Sequence, residues 1–558
     1  MRQFFFTFVL LLSLMSCTEI IYIYEDVPSD DTINVSDKDK DEPDGGNGDS
    51  SSENNGESSD NESAYRGDVA SEFKGSGSES NPYLLRDASE LRKLADDVNS
   101  GMTYEGCYFL MTNDIVLNTD VLGPDGEPLG GANSYEQWIP IGELPDNKFC
   151  GFFDGASHVI SGLYINSTKT KEETNPGLFG VVAGGASIKH LTIKDSYIDL
   201  PNARAAVLVY EAYGKIGSPV VIEDCHVYAT IKAECASGIL SRGHINRLDS
   251  YVDIKSCSMH GKVISIPEEK QGNASGLVWY GGKGCCVVEC YNEADVISNG
   301  LSGGIAWSAN ISNCANLGIV KGKRVGALVT NTFGYSKVVN CLNLGIVLGE
   351  EISGGLVAAS DFGGKIANCI NYGVCMEIPS EARGGILAIL DRETTVQDNY
   401  FVESFASMAI DKVVNRKDCS LSGNYRVRSD EMRSANFLAN LCTRSASLGT
   451  AYSQWITGPS GFPILDWMVG LEYEVPLVNL YEEVEDSAHN DFLEDNGSDN
   501  VIEFPQTSNC YIISRSGSYS FSPGRKYASD LHSLNDGNVE PLDNYYQASG
   551  QSIRCIKE

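Results

Sequence analysis

The chain has 558 residues, 42% of them hydrophobic, which is enough apolar material for a sizeable core. Its 41 Lys+Arg stand against 76 Asp+Glu, a formal net charge of -35, which excludes a phosphate-tracking nucleic-acid binder and argues against electrostatic docking on anionic lipid. With 57 Gly and only 18 Pro, the composition points to many tight turns rather than a Pro-rich stalk.

The first 17 residues read as an export signal. Arg2 supplies the positive start, residues 4–12 form an apolar run too short to span a bilayer, and Leu14-Met15-Ser16-Cys17 follows. This last string resembles the bacterial lipobox. The resemblance implies diacylglycerol on Cys17 and a lipid-anchored protein of the outer membrane, facing the exterior. Several acyl chains at about 0.8 kcal/mol per buried methylene make a stable membrane partner. The alternative is plain secretion with Cys17 as a free thiol.

Residues 18–74 are expected to be an acidic tether. Between residues 25 and 63 there are fourteen Asp/Glu against Lys38 and Lys40, the rest being largely Ser, Asn and Gly. Such a segment cannot bury enough apolar surface to fold. Arg66-Gly67-Asp68 matches the tripeptide of integrin ligands, a signal of almost no specificity.

A cap helix is expected within 75–103. Asp87 and Glu90 form a capping-box-like start, Leu91, Leu94, Ala95 and Val98 make one apolar stripe, and Gly101 ends it. Such a helix would cover the open end of a β stack.

From Tyr104 onward one pattern recurs: aliphatic-x-x-Cys-x-Asn-x-Gly-x-Val, a variable turn, then Gly-Gly-aliphatic. Full copies centre on Cys314, Cys341 and Cys369, and weaker ones on Cys225, Cys257 and Cys290, at spacings of 32, 33, 24, 27 and 28 residues. Elastic periods of this length predict a solenoid in which each coil pairs with the next. The six cysteines hold one repeat position. Metal or redox chemistry is one reading; a column of small, inert, buried thiols is the other and the favoured one, because no compact CxxC pattern supports zinc.

The string Tyr104-Glu105-Gly106-Cys107-Tyr108-Phe109, Trp138-Ile139-Pro140-Ile141-Gly142, Gly151-Phe152-Phe153-Asp154-Gly155 and Gly177-Leu178-Phe179-Gly180 resembles the GLUG-motif β-helix proteins of bacterial surfaces. The resemblance implies an all-β fold, a right-handed parallel β-helix over 104–470 with helical caps. GLUG repeats also occur in a streptococcal immunoglobulin A peptidase, whose activity needs a zinc-binding HExxH helix that this sequence lacks. An acidic linker (471–505) and a small β-rich module (506–558) follow. The module resembles part of the fimbrillin-like lipoproteins and holds Cys510 and Cys555, which could bridge in an oxidising compartment.

No catalytic constellation, metal motif or cofactor motif emerges from the linear sequence. Asp96-Asp97, Glu223-Asp224, Glu289, Asp295 and Arg242-Gly243-His244 are the nearest approach, and carboxylates brought together across coils would escape this reading. The expected function is therefore non-enzymatic: an adhesin-like surface protein with glycan or matrix partners. Trp279, Tyr280, Trp307, Phe333 and Tyr335 are the candidate ligand-facing aromatics. A structural stalk and a polysaccharide-degrading β-helix enzyme are the alternatives.

Overall fold

The computed structural model describes residues 67–471, apart from 171–172, 244–250, 269, 283, 334–335, 362, 376–378 and 450–451, together with the backbone of short strands between 501 and 557. Cys17, Arg66, His244 and Tyr335 lie outside the described residues.

The repeat region is a parallel β-solenoid of about 10 turns, as the periodicity predicts. One sheet of nine parallel strands takes a single strand from each coil, from Phe179–Ala183 to Ile410–Val413. The other faces merge into one large parallel sheet. Register is kept by an inward column in which Phe109, Phe153, Ile188, Ile222, Ile254, Val287, Ile311, Val338, Ile366 and Val396 stack in turn. Each such side chain contributes about 1.5–3 kcal/mol by leaving water. A slip of one residue would turn the whole column outward.

The repeat motif has a mechanical explanation at each corner. The residue before each repeat Cys bends the chain through the left-handed region: Asp224, Ser256, Glu289, Asn313, Asn340 and Asn368 have φ between 52° and 57°. Asn and Asp tolerate this conformation best, which explains their prevalence here. The next residue turns inward as Cys. Its thiol donates to the carbonyl two residues earlier, as from Cys290 to Val288 at 3.2 Å and from Cys314 to Ser312 at 3.2 Å. Its sulfur in turn accepts a backbone N–H from the neighbouring coil, as Cys290 does from Cys257 at 3.3 Å. Burial pushes the Cys225, Cys285, Cys290 and Cys341 thiols well above their ordinary range. All six repeat cysteines are buried and unbridged, and they act as corner hydrogen-bond groups.

Two residues on, the repeat Asn also points inward. Asn292, Asn316, Asn343 and Asn371 form a fully buried ladder, each Nδ2 donating to the next Oδ1 at 2.9, 3.0 and 2.9 Å. Asn371 ends it by donating to the Gly385 carbonyl at 3.1 Å. Gly-Gly follows from this ladder. A Cβ on Gly355 would lie 2.1 Å from both Asn371 Nδ2 and the Gly385 oxygen, so only glycine fits there.

Helix α1 (Ala88–Asn99) packs Leu91, Leu94, Ala95 and Val98 into the core. Asp87 caps it by accepting from Ser89 and Glu90 N–H. Glu90 reaches back one residue further than a capping box requires, to the Arg86 N–H at 2.6 Å. Arg92 pairs with Glu136 at 2.6 Å and donates to the Asp68 carbonyl at 2.9 Å, which ties down the backbone at Gly67-Asp68.

After the last coil the chain lays a strap along the flank of the solenoid. It comprises α2 (Ser429–Met432), α3 (Ala435–Leu448) and an antiparallel pair, Trp455–Thr457 with Pro463–Leu465. Phe437 packs edge-on to Tyr400, Arg444 pairs with Asp398, Ser453 N–H donates to Asn313 Oδ1 at 3.0 Å, and Trp467 stacks on Tyr291. The strap thus runs back from the last coils to the Tyr291 coil. The cause is visible in the repeat: Ala315, Leu342 and Ile370 alternate with the inward Cys and Asn, so they face this flank and are buried under it.

The C-terminal strands pair antiparallel. Ser508–Ser514 lies between Gly517–Phe521 and Ile553–Lys557, with Cys510 directly opposite Cys555 in the register.

Candidate functional site

The strands on either side of the Gly-Gly corner alternate inward and outward residues. Val209, Leu240, Val278, Ala306 and Val329 belong to the main core. The residues after them, Tyr210, Ser241, Trp279, Trp307 and Thr330, stack in register outside it. Before the corner, Arg204, Cys235, Asn273 and Leu301 form a second outward column. The sharp corner folds these two columns toward each other into an outward seam, largely filled by their own side chains.

Trp279 and Trp307 therefore face outward, as the sequence reading requires of ligand-facing residues, yet only 6% and 7% of their surface meets solvent. Tyr280 is half-buried, and its ring lies 5.2 Å from that of Trp307 and 6.2 Å from that of Trp279. Phe333, half-buried, ends the strand Val329–Phe333 farther along the same sheet. The structure gathers Trp279, Tyr280 and Trp307 into one cluster and leaves Phe333 apart from it.

The seam holds an unusual set of polar atoms. Arg204 Nε, Ser241 Oγ, Ser275 Oγ, Trp279 Nε1 and Thr330 Oγ1 are buried without a hydrogen-bond partner. The Arg204 guanidinium carbon lies 4.8 Å from the centre of the Trp279 ring. One coil position away, Arg242 pairs with Glu211 at 3.0 Å. Buried polar groups are normally satisfied, so each of these exceptions calls for an explanation.

A second constellation, across three coils, lies just beyond the end of the strap. Ser258 Oγ is 2.8 Å from His226 Nδ1 and 2.9 Å from His260 Nε2. His260 Nδ1 is 2.9 Å from Glu293 Oε2, and His226 Nε2 is 3.3 Å from Asp224 Oδ1. His260 stacks flat on Tyr228 at 4.1 Å. The linear sequence concealed this set. The available signal was the cysteine period: His226, Ser258 and Tyr291 each follow a repeat Cys by one residue, and Tyr228, His260 and Glu293 by three.

Of the carboxylates noted in the sequence, Asp224 joins this set through His226, and four others are engaged elsewhere. Asp97 accepts from Tyr104 at 2.6 Å and pairs with Lys93, Glu223 pairs with Lys189 at 2.8 Å, Glu289 accepts from Ser453, and Asp295 sits opposite Lys262 in the sheet. Among the described residues no group of three or more His, Cys, Asp or Glu side chains is arranged to hold a metal ion.

No family model matches the chain. A protein of Evansella cellulosilytica, provisionally named a Gly-rich membrane protein, is 33% identical over 144 residues. That match covers 25% of this chain and 14% of the relative, so the chain spans only a small part of the relative's length. Among solved structures, a provisional immunoglobulin A1 protease from Bacteroides ovatus aligns over 70% of this chain and 94% of its own, at 14% identity and a TM-score of 0.35. A second, titled IgA1 protease, aligns over 81% of this chain and 34% of its own, at 13% identity and a TM-score of 0.30. Among the described residues no helix is long and apolar enough to cross a membrane.

Proposed function

We propose that this chain is an adhesin-like surface protein, lipid-anchored through Cys17 and facing the cell exterior, whose solenoid binds glycan along the outward seam. The observation that carries this reading is the union of aromatic rings with unpartnered polar atoms: Trp279, Tyr280 and Trp307 beside the free hydroxyls of Ser241, Ser275 and Thr330. Sugars present both an apolar C–H face for rings and hydroxyls for such groups. Repetition along a rod suits weak, multivalent contact. The activity is binding, without turnover. The test is an array of plant, host and bacterial glycans and matrix proteins probed with the full chain. Binding to one glycan class, weakened in Tyr280→Ala and Trp307→Ala, is the expected result. Absence of binding to every glycan would overturn it in favour of a stalk.

One observation favours a second reading, a hydrolytic enzyme. Ser258, His260 and Glu293 are hydrogen-bonded in the order of an acyl-transfer relay, with Nε2 toward the hydroxyl and Nδ1 toward the carboxylate. Against it, the Ser258 hydroxyl is already held between His226 Nδ1 at 2.8 Å and His260 Nε2 at 2.9 Å. Labelling of Ser258 by a fluorophosphonate, or loss of an array glycan during incubation, would establish the enzyme instead.

A further inference from the structure

The chemistry of the seam narrows the ligand, on the footing that the glycan-binding reading above is right. Arg204 is a permanent cation with only 6% of its surface exposed. Among the described residues no carboxylate pairs with it, although the chain carries 76 Asp+Glu. Its Nε is unpartnered, and its guanidinium rests on the face of Trp279, whose own Nε1 is also unpartnered. Besides the Trp279 ring the partner of Arg204 is the Cys235 thiol, a weak one for a buried charge, and a chain this acidic has ample means to supply a carboxylate. Arg242, in the next coil, shows the ordinary solution by pairing with Glu211.

We propose that Arg204 and Trp279 form an anion subsite that receives the carboxylate of an acidic pyranose, a hexuronate or a sialate, within the bound glycan. The guanidinium presents its planar fork to the carboxylate, a geometry that matches two oxygens at once. Trp279 yields its stacking contact and donates its indole N–H to the same anion. The chain's net charge of -35 repels polyanions at long range, so recognition falls to this buried cation rather than to bulk charge.

The experiment is calorimetric titration of the full chain with oligogalacturonate, its methyl-esterified counterpart, sialyllactose and lactose, with Trp fluorescence recorded in parallel. The expected result is binding of one carboxylated sugar, at least tenfold weaker binding of its neutral partner, and a fluorescence change on saturation. Arg204→Gln should weaken the carboxylated ligand about tenfold to a hundredfold and leave the neutral one unchanged. Arg204→Lys, which keeps the charge but not the fork, should fall between and guards against a merely unfolded variant, as does an unchanged melting curve. Equal binding of charged and neutral sugars would overturn the anion subsite while sparing the glycan reading. Failure of all four sugars together with an empty glycan array would overturn both.

Discussion

Asn316 donates its Nδ2–H to the Oδ1 of Asn343 across 3.0 Å, and both side chains are fully buried. Each rung also serves its own coil, Asn316 donating to the Gly318 carbonyl at 3.1 Å and Asn343 accepting from the Gly345 N–H at 3.0 Å. The ladder is therefore satisfied at every position, the condition under which buried amides strengthen a core rather than weaken it.

Asn316→Asp tests this with almost no change of shape. The carboxylate can only accept, so it faces the Asn343 oxygen with no donor between them, while the Gly318 carbonyl also loses its donor. The expected loss is about 3–5 kcal/mol, the sum of two buried groups left unpaired and a desolvated charge. Urea unfolding at neutral pH measures it, and a midpoint equal to that of the parent would show the ladder to be passive packing.

The strap supplies a second prediction. Trp455 Nε1 donates to Asn340 Oδ1 at 2.8 Å, beside Asn368 Nδ2 at 2.8 Å and Ser445 Oγ at 2.6 Å. Trp455→Phe removes one of three donors and shrinks the ring, and should cost about 1–3 kcal/mol. Trp455→Ala should cost about 3–5 kcal/mol and raise dye binding to the uncovered Leu342 and Ile370. Hydrogen exchange in the strands through Ser312, Val339 and Ala367 should rise with it. Unchanged exchange there would mean that the strap contributes no cover.

The solenoid was legible because its repeat is a set of short-range necessities. Asn340 bends the chain, Cys341 turns inward and Asn343 joins the ladder, all within four residues of sequence. What was not legible arises between coils. Ser258 and His260 are two residues apart, but His226 and Glu293 reach them from coils 32 and 33 residues away along the cysteine period. The path of the strap is hidden for a related reason: its apolar residues read the same whether they close an end or cover a flank, and only the outward run of Ala315, Leu342 and Ile370 decides between these. The burial of Trp279 and Trp307 depends on the angle of the Gly-Gly corner, which no linear pattern records.

Alkaline pH should weaken the fold. Burial holds the Cys225, Cys285, Cys290 and Cys341 thiols well above the ordinary 9.0, and Tyr210 is raised to about 12, also by burial. Below pH 9 the thiols are protonated in both folded and unfolded chains and contribute no slope. Above it the unfolded chain ionises while the folded chain does not, so the unfolded state binds fewer protons and stability falls as pH rises. Each thiol should cost about 1.4 kcal/mol at pH 10, and Tyr210 adds to the loss at higher pH. Melting curves between pH 7 and pH 10.5 should show a flat region followed by a steep decline, shallower in Cys290→Ala. A stability that holds level through pH 10 would mean that these thiols ionise in place.

The C-terminal strands make the last prediction. Cys510 and Cys555 occupy directly opposed positions on adjacent antiparallel strands, Ser508–Ser514 and Ile553–Lys557. Opposed residues in such a pair have Cα atoms about 4.5–5.5 Å apart, inside the range a disulfide spans. An oxidising environment should then close this bridge while leaving the buried thiols of the solenoid column out of an oxidant's reach. Peptide mapping of protein prepared under oxidising conditions should recover one crosslinked pair containing Cys510 and Cys555, with the repeat cysteines alkylated only after unfolding. Crosslinks among Cys257, Cys290 and Cys314 would contradict the corner hydrogen bonds that occupy those sulfurs, and recovery of Cys510 as a free thiol would mean that the strand pairing does not carry a bridge.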